Sequence, residues 1–315
     1  MSKTPELYLD STTTNTKITS IISKCYIPWS HYTKLIKTRQ TLVLLFTAFF
    51  AFLVSAWQTN LIDLELLWRV IWLIGSLFLV ITGSTFLNMY FDRDIDALMK
   101  RTKDRPLPDN QVNSSIVFIY GLIFCLVGTL ASSLFLNFLT TIVIFLGFFF
   151  DVIVYSLLLK RRTRFSIFFG AIAGGLPAVA GRTAVINTID LTTILMGLLV
   201  ISWVPLHILT LAMLPENLED YKQAKVPMWP VVKGQLSTIR LVAFSALCSG
   251  LFAFLLGIIL EIQLIIFLPL LLFSFYLIYR SISVLIHSTE RKVFILFKLA
   301  SIFMVFSFLW LFIGV

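Results

Sequence analysis

The sequence predicts an all-α integral membrane protein of nine transmembrane helices, on three observations. Apolar runs of about 20 residues recur along the 315-residue chain, and each can cross a bilayer as a helix. Hydrophobic residues make up 58% and charged residues only 13%, where a soluble chain carries about a quarter charged. The third observation is where the cations fall. With spans at 41–57, 66–88, 114–136, 138–159, 166–186, 191–214, 241–260, 264–286 and 293–314, all but three of the 25 lysines and arginines lie in loops on one side or, as Arg280, near the span end facing it.

Taken in order, a polar tail of residues 1–40 comes first, with cations from Lys3 to Arg39. It has neither the early apolar run of a signal peptide nor the Arg-rich, acid-poor character of a mitochondrial presequence. It is expected to be a cytosolic leader with an interfacial turn around Ile27 to Trp29, ahead of a membrane domain of residues 41–315. The second span ends in a loop holding Arg93, Lys100, Arg101, Lys103 and Arg105. The fourth ends at Lys160, Arg161, Arg162 and Arg164, and the sixth leads into Lys222, Lys225, Lys233 and Arg240. The eighth is bounded by Arg280, Arg291 and Lys292. Toward the opposite side lies Arg182, near the end of the fifth span, while Arg69 and Lys298 lie within spans near enough to an end to snorkel. A wrong span count would scramble this alternation. The positive-inside rule then places the N-terminus in the cytosol and Val315 outside the cell membrane.

The net charge of +9 is accounted for by loops held beside anionic lipid, so no nucleic acid is needed as a partner. Cys25, Cys125 and Cys248 stand far apart with no CxxC or CxxCH. They give no disulfide framework, no covalent haem attachment and no zinc site.

One stretch breaks the apolar pattern. "NMYFDRDIDALMKRTKDRPL", from Asn88 to Leu107, holds four carboxylates and five cations at the end of the second span. Asn88, Asp92 and Asp96 are spaced four apart, so they share one helix face and climb about 6 Å per step, with Asp94 on the opposite side. An amide and two carboxylates suit a hard divalent cation such as Mg²⁺, which completes its octahedron with water and phosphate oxygens. Lys100, Arg101, Lys103 and Arg105 follow as donors for the remaining phosphate charge. A solvated, salt-bridged helix end is the alternative. The spacing, the span terminus and the matched cations favour a diphosphate held through magnesium.

Three further segments bear on the site. In "PENLEDYKQAKVPMWP", Pro215 can open a short helix on which Glu216 and Asp220 share a face, as a second metal-binding edge or as an ordinary surface pair. In "YSLLLKRRTRF", Lys160, Arg161 and Arg162 suit either a phosphate or a headgroup anchor. Asp151, inside that span with Tyr155 one turn below it, is a functional candidate by default, a structural pairing being the other reading. "WVPLHILTLA" places His207 in the sixth span. Such a histidine is usually a bonded packing residue, but it is a good iron ligand if the substrate is a metalloporphyrin. Gly170, Gly174, Gly175 and Gly181 allow close packing of the fifth span.

These segments together resemble the haem O synthase (protoheme IX farnesyltransferase) branch of the UbiA superfamily of intramembrane prenyltransferases. The likeness runs from about Tyr32 to Gly234. It rests on the N-x-x-x-D-R-D-I-D-x-x-M-x-R-T-x-x-R-P-L signature, on "YSLLLKRRT", on "WVPLHILTLA" and on "DYKQAKVPMWPVVKG". There are departures: Thr38 replaces the proline of a Lys-Pro-Arg, Leu206 a second proline and Ser166 an asparagine. The stretch from His207 to Asp220 is about two residues longer than usual, which leaves Glu216 without a counterpart.

The resemblance implies nine helices enclosing a central cavity, and farnesyl transfer from farnesyl diphosphate to a vinyl group of haem B, with water added. It implies Mg²⁺ on Asn88, Asp92, Asp96 and Asp220, with Tyr155 also at the reacting centre. It implies diphosphate contacts from Arg101, Arg105, Lys160 and Arg161, and a porphyrin positioned by His207 and Trp203. The implied partners are the two substrates, membrane lipid, and downstream haem A synthase or terminal oxidase assembly. A relative acting on a quinone precursor or lipid would keep the acidic motifs but need no His207 segment. A non-enzymatic haem-binding assembly factor or transporter would need no Asn–Asp–Asp face.

Overall fold

A computed structural model describes residues 29–60 and 64–315 of the chain. The described residues form helices throughout. They are α1 (Trp29–Leu35), α2 (Thr38–Gln58), α3 (Leu64–Leu98), α4 (Ser114–Phe135), α5 (Phe138–Phe148), α6 (Ser166–Ile186), α7 (Leu191–Ala212), α8 (Pro215–Gln223), α9 (Trp229–Ile259), α10 (Leu264–Ile286) and α11 (Glu290–Gly314). Helix α5 runs on as a π-helix over Phe149–Leu159. Nine of the described helices, counting α5 and its π-helical continuation as one, are long and apolar enough to cross a membrane, and they coincide with the nine expected spans. The chain is a multi-pass membrane protein.

Local sequence sets several of the ends. Asn113 and Asn137 cap α4 and α5 by accepting from Ser115 N at 2.9 Å and Thr140 N at 2.8 Å. Pro215 opens α8, as expected of a proline in a first turn. Two spans are longer than their apolar runs. Helix α3 continues past residue 88 to Leu98, because no glycine or proline interrupts the chain before Pro106. Its carboxylates therefore stand on the helix itself. Helix α9 starts at Trp229 rather than near 241, and its first turn is set off by Gly234, whose φ of 75° suits glycine.

Helix α1 and the first residues of α2 fall within the expected tail of residues 1–40. Leu35 is fully buried with Phe86 and Met89 of α3, which packs α1 against that helix. The interfacial turn expected around Ile27 falls outside the described residues.

Helix α3 packs along α4, α2 along α6, and α7 against both α6 and α9. The α2–α6 approach depends on Gly181, where a methyl group would come within 2.2 Å of the Ala48 carbonyl oxygen. Arg182 ties the same helices to α7 at the end away from the charged loops. Its Nε donates to Asp190 Oδ1 at 2.8 Å, and its Nη1 donates to Gln58 Oε1 at 2.9 Å and Ser55 Oγ at 3.2 Å. Burial works against the Asp190 charge. The bonds from Arg182 and Thr193 prevail and hold the carboxyl well below the usual carboxylate range.

Candidate active site

The N-terminus of α2, the C-termini of α3 and of the π-helix, and α8 meet at one end of the bundle. On α3, Asn88, Asp92 and Asp96 are 7%, 4% and 4% exposed, whereas Asp94 on the far side is exposed. The four-residue spacing thus gives one buried polar face, as the sequence implied.

The π-helix supplies the partners of that face. In a π-helix residues five apart stack, because each N–H reaches back to i−5. Lys160 N reaches Tyr155 O at 2.8 Å in this way. Asp151 and Ser156, five apart, both engage Asn88. The Asn88 Nδ2 donates to Asp151 Oδ2 at 2.8 Å, and Ser156 Oγ donates to Asn88 Oδ1 at 2.7 Å. Tyr155 and Lys160, also five apart, form a second pair, with the ammonium 5.7 Å from the ring centroid. The Tyr155 ring in turn lies on Gly170, where an added methyl would stand 3.3 Å from the ring edge. An α-helical period misses Ser156 and pairs Asp151 with Tyr155 instead.

Charges close the face. Lys160 pairs with Asp92 Oδ2, and Arg105 Nη1 donates to Asp96 Oδ2 at 2.5 Å. Burial opposes the Lys160 charge, but the neighbouring Tyr155 and Asp92 overcome it and hold the ammonium above its ordinary range. Lys37, at the entry to α2, was counted in the sequence only as a tail cation. Its pKa is lowered to about 8, first by burial and then by Arg105 and Lys160, with Asp92 and Asp151 acting in opposition. It is therefore a third cation of the site, beside Lys160 and Arg105. Its left-handed backbone, φ 50°, turns the chain between α1 and α2.

The other expected residues are placed differently. Asp220 is buried, and its two oxygens accept Lys100 N at 3.0 Å and Arg101 N at 3.2 Å. It thereby clamps the loop that delivers Arg105. Glu216 is exposed and lines a separate open cleft with Arg291 and Phe294, whereas Asp220 on the same helix is buried. Arg161 forms a bidentate pair with Asp94 at 2.6 and 2.7 Å on the far face, beside a 260 Å³ cleft that Lys225 also lines. The Arg101 residue is exposed.

Deeper in the bundle, His207 lies between two rings. Trp203 stacks on it at 4.7 Å between centroids and 14° between planes, and Phe297 of α11 stacks at 4.7 Å and 23°. Trp203 Nε1 donates to Ala300 O at 2.6 Å, which fixes the indole.

The α3 face fits a magnesium ion. Asp92 Oδ1 is buried with no hydrogen-bond partner, which is costly unless a ligand meets it. Asn88 Oδ1 has a second lone pair beside the one Ser156 uses. Among the described residues no three His, Cys, Asp or Glu groups form a ready-made cage. Magnesium does not need one, since it takes one or two protein carboxylates and keeps water or phosphate oxygens for the rest.

A buried Asn–Asp–Asp face ringed by cations, at one end of an all-helical membrane bundle, defines a class of protein. Residues 43–307 match the model of the UbiA prenyltransferase family, and the chain belongs to that family. It is 43% identical over 198 residues to a protoheme IX farnesyltransferase of Hyperthermus butylicus, a match covering 63% of this chain and 64% of the relative. It is 39% identical over 239 residues to one of Korarchaeum cryptofilum, covering 75% of this chain and 78% of that one. Among solved structures, its fold resembles one from a study of digeranylgeranylglyceryl phosphate synthase, with a TM-score of 0.73 at 18% identity over 90% of this chain and 97% of that one. It also resembles a UbiA homolog from Archaeoglobus fulgidus bound to DMAPP and Mg²⁺, with a TM-score of 0.65 at 14% identity over 89% and 99%.

Proposed function

We propose that this chain transfers the farnesyl group of farnesyl diphosphate to a vinyl carbon of haem B, with water added, to give haem O. The observation that carries the proposal is the unpartnered, buried Asp92 Oδ1 on a face flanked by Lys160, Arg105 and Lys37. The names of the Hyperthermus and Korarchaeum relatives support haem as the acceptor, and the stacked imidazole of His207 suits a flat metalloporphyrin.

In this reading Asn88, Asp92 and Asp96 hold Mg²⁺, with Asp220 fixing the adjoining loop. Magnesium held there would supply the positive charge that makes the diphosphate a workable leaving group. Lys160, Arg105 and Lys37 take up the charge that develops on the departing diphosphate. The farnesyl C1–O bond breaks with both electrons leaving on the diphosphate, and the vinyl π electrons form the new C–C bond. Water then adds to the carbon beside the porphyrin and loses a proton. Lys160 stays protonated beside Asp92 and acts as a fixed charge. The apolar walls of the bundle keep water from the allylic carbon until the vinyl group has reacted. The site faces the cytosol, with Val315 on the outer side of a cell membrane, on the strength of the loop cations.

The test is mass spectrometry of haems extracted from cells lacking their own haem farnesyl transferase, with and without this gene. Haem O accumulating only with the gene is expected. Unchanged haem B, with prenylated quinone precursors appearing instead, would refute haem as the acceptor.

A further inference from the structure

His207 is held by more than its two stacking partners. Ser301, one helical turn beyond Phe297 on α11, places its Oγ 3.3 Å from His207 Nδ1. The same hydroxyl stands 2.9 Å from the Phe297 carbonyl oxygen. A serine hydroxyl carries one proton, and the shorter contact, to an acceptor that can only accept, takes it. Toward His207 the oxygen then offers only a lone pair, so Nδ1 must be the nitrogen that bears the ring proton. In a neutral imidazole this leaves Nε2 with its lone pair in the ring plane.

The surrounding rings decide how that lone pair can be approached. Trp203 and Phe297 cover the two faces of the imidazole, and Trp203 is itself pinned to Ala300 O. With both faces covered, the ring edge is the remaining direction of approach, and it is the one from which a metal binds imidazole. Histidines that ligate metals generally give their other ring N–H to a fixed acceptor, which sets tautomer and orientation.

We propose that Ser301 is a positioning residue that fixes His207 in its Nδ1–H tautomer and so presents Nε2 to the iron of the metalloporphyrin substrate. The inference deepens the proposed function and rests on haem being the acceptor. Neither Ser301 nor Phe297 lies in the segments that carried the family resemblance, which end near Gly234.

The test uses the full chain in nanodiscs with haem B and no prenyl donor. Haem affinity and the visible and resonance Raman signatures of an axial imidazole are recorded for the wild type, His207→Ala, Ser301→Ala and Ser301→Thr. Magnesium-dependent binding of farnesyl diphosphate serves as the folding control. The expected result is loss of the imidazole signature in His207→Ala. Ser301→Ala should show about tenfold weaker haem binding with a mixed signature, and Ser301→Thr, which keeps the hydroxyl, should stay within about twofold of wild type. Farnesyl diphosphate binding should be unchanged in all three.

If Ser301→Ala matches wild type while His207→Ala does not, the positioning role is wrong and haem as acceptor stands. If Ser301→Thr falls as far as Ser301→Ala, or farnesyl diphosphate binding falls too, Ser301 is a packing residue and the inference is overturned. If His207→Ala keeps the wild-type signature, iron ligation at His207 is wrong and the inference falls with it. If no form binds haem, haem as the acceptor fails as well.

Discussion

Asp92 serves two groups with one carboxylate, since Oδ2 neutralises Lys160 and Oδ1 is left for a ligand. Asp92→Asn should lower turnover by about a hundredfold or more. It should also lower the apparent melting temperature in detergent, because an uncompensated buried ammonium costs about 3 kcal/mol. Adding Lys160→Met should recover most of the stability and none of the turnover, and a double variant no more stable than Asp92→Asn would contradict the pairing. Asp94 is a different case, being exposed and paired with an exposed Arg161. Asp94→Ala should keep turnover within about threefold, since exposed pairs contribute little; activity as low as that of Asp96→Ala would break the division into two faces. Lys37 adds a pH dependence. Its pKa is lowered from 10.5 to about 8, so between those values the unfolded chain binds more protons than the folded one, and the pull on stability is upward with pH. Diphosphate binding runs the other way, because it gains from the ammonium and should weaken as pH rises through about 8. Lys37→Arg stays charged and should flatten the curve in calorimetric titrations with farnesyl diphosphate. A wild-type affinity constant through that window would remove Lys37 from the site.

Elements explain why part of this was legible in the sequence and part was not. Span number follows from apolar run length and loop charge, which are local properties, and the Asn88–Asp92–Asp96 face follows from α-helical spacing. Ser156 was out of reach because only the i−5 pattern of Phe149–Leu159 turns it onto Asn88. Lys37 was missed because its place depends on α2 packing beside α3, though the Lys-x-Arg at the entry to the first span was a usable signal. Asp220 and Arg161 were found as charges, but their partners, two backbone N–H groups and Asp94, come from tertiary contacts. At the opposite end, Arg182 looked like a stray cation until α2, α6 and α7 converged on it. Arg182→Leu should destabilise the bundle by about 2 kcal/mol, a figure held down because the Asp190 side chain is 38% exposed. The measurement is thermal unfolding in detergent, with farnesyl diphosphate affinity as a control. A variant as stable as wild type would make the network dispensable.

At the scale of the whole molecule, the proposed function would have a membrane-soluble donor expose its diphosphate at the charged end of the bundle, with a flat apolar acceptor lying against the stacked His207. Orientation can be checked by labelling single cysteines introduced into a chain stripped of its native ones. Positions near Lys103, Lys160 and Lys225 should react from the cytosolic side, and positions near Asn60 and Asn187 from the other. Labelling of the Lys103 and Lys160 positions from opposite sides would separate the two halves of the site. In the proposed reaction one membrane chain joins a prenyl donor held on the α3 face to a porphyrin. It is tested most directly by incubating the purified protein in nanodiscs with farnesyl diphosphate, haem B, Mg²⁺ and ¹⁸O-labelled water, then weighing the haem. The expected product is heavier than haem B by one farnesyl group and one ¹⁸O-labelled hydroxyl, formed by wild type and absent with Asp96→Ala or with chelator. Farnesol and diphosphate released beside unaltered haem B would contradict it.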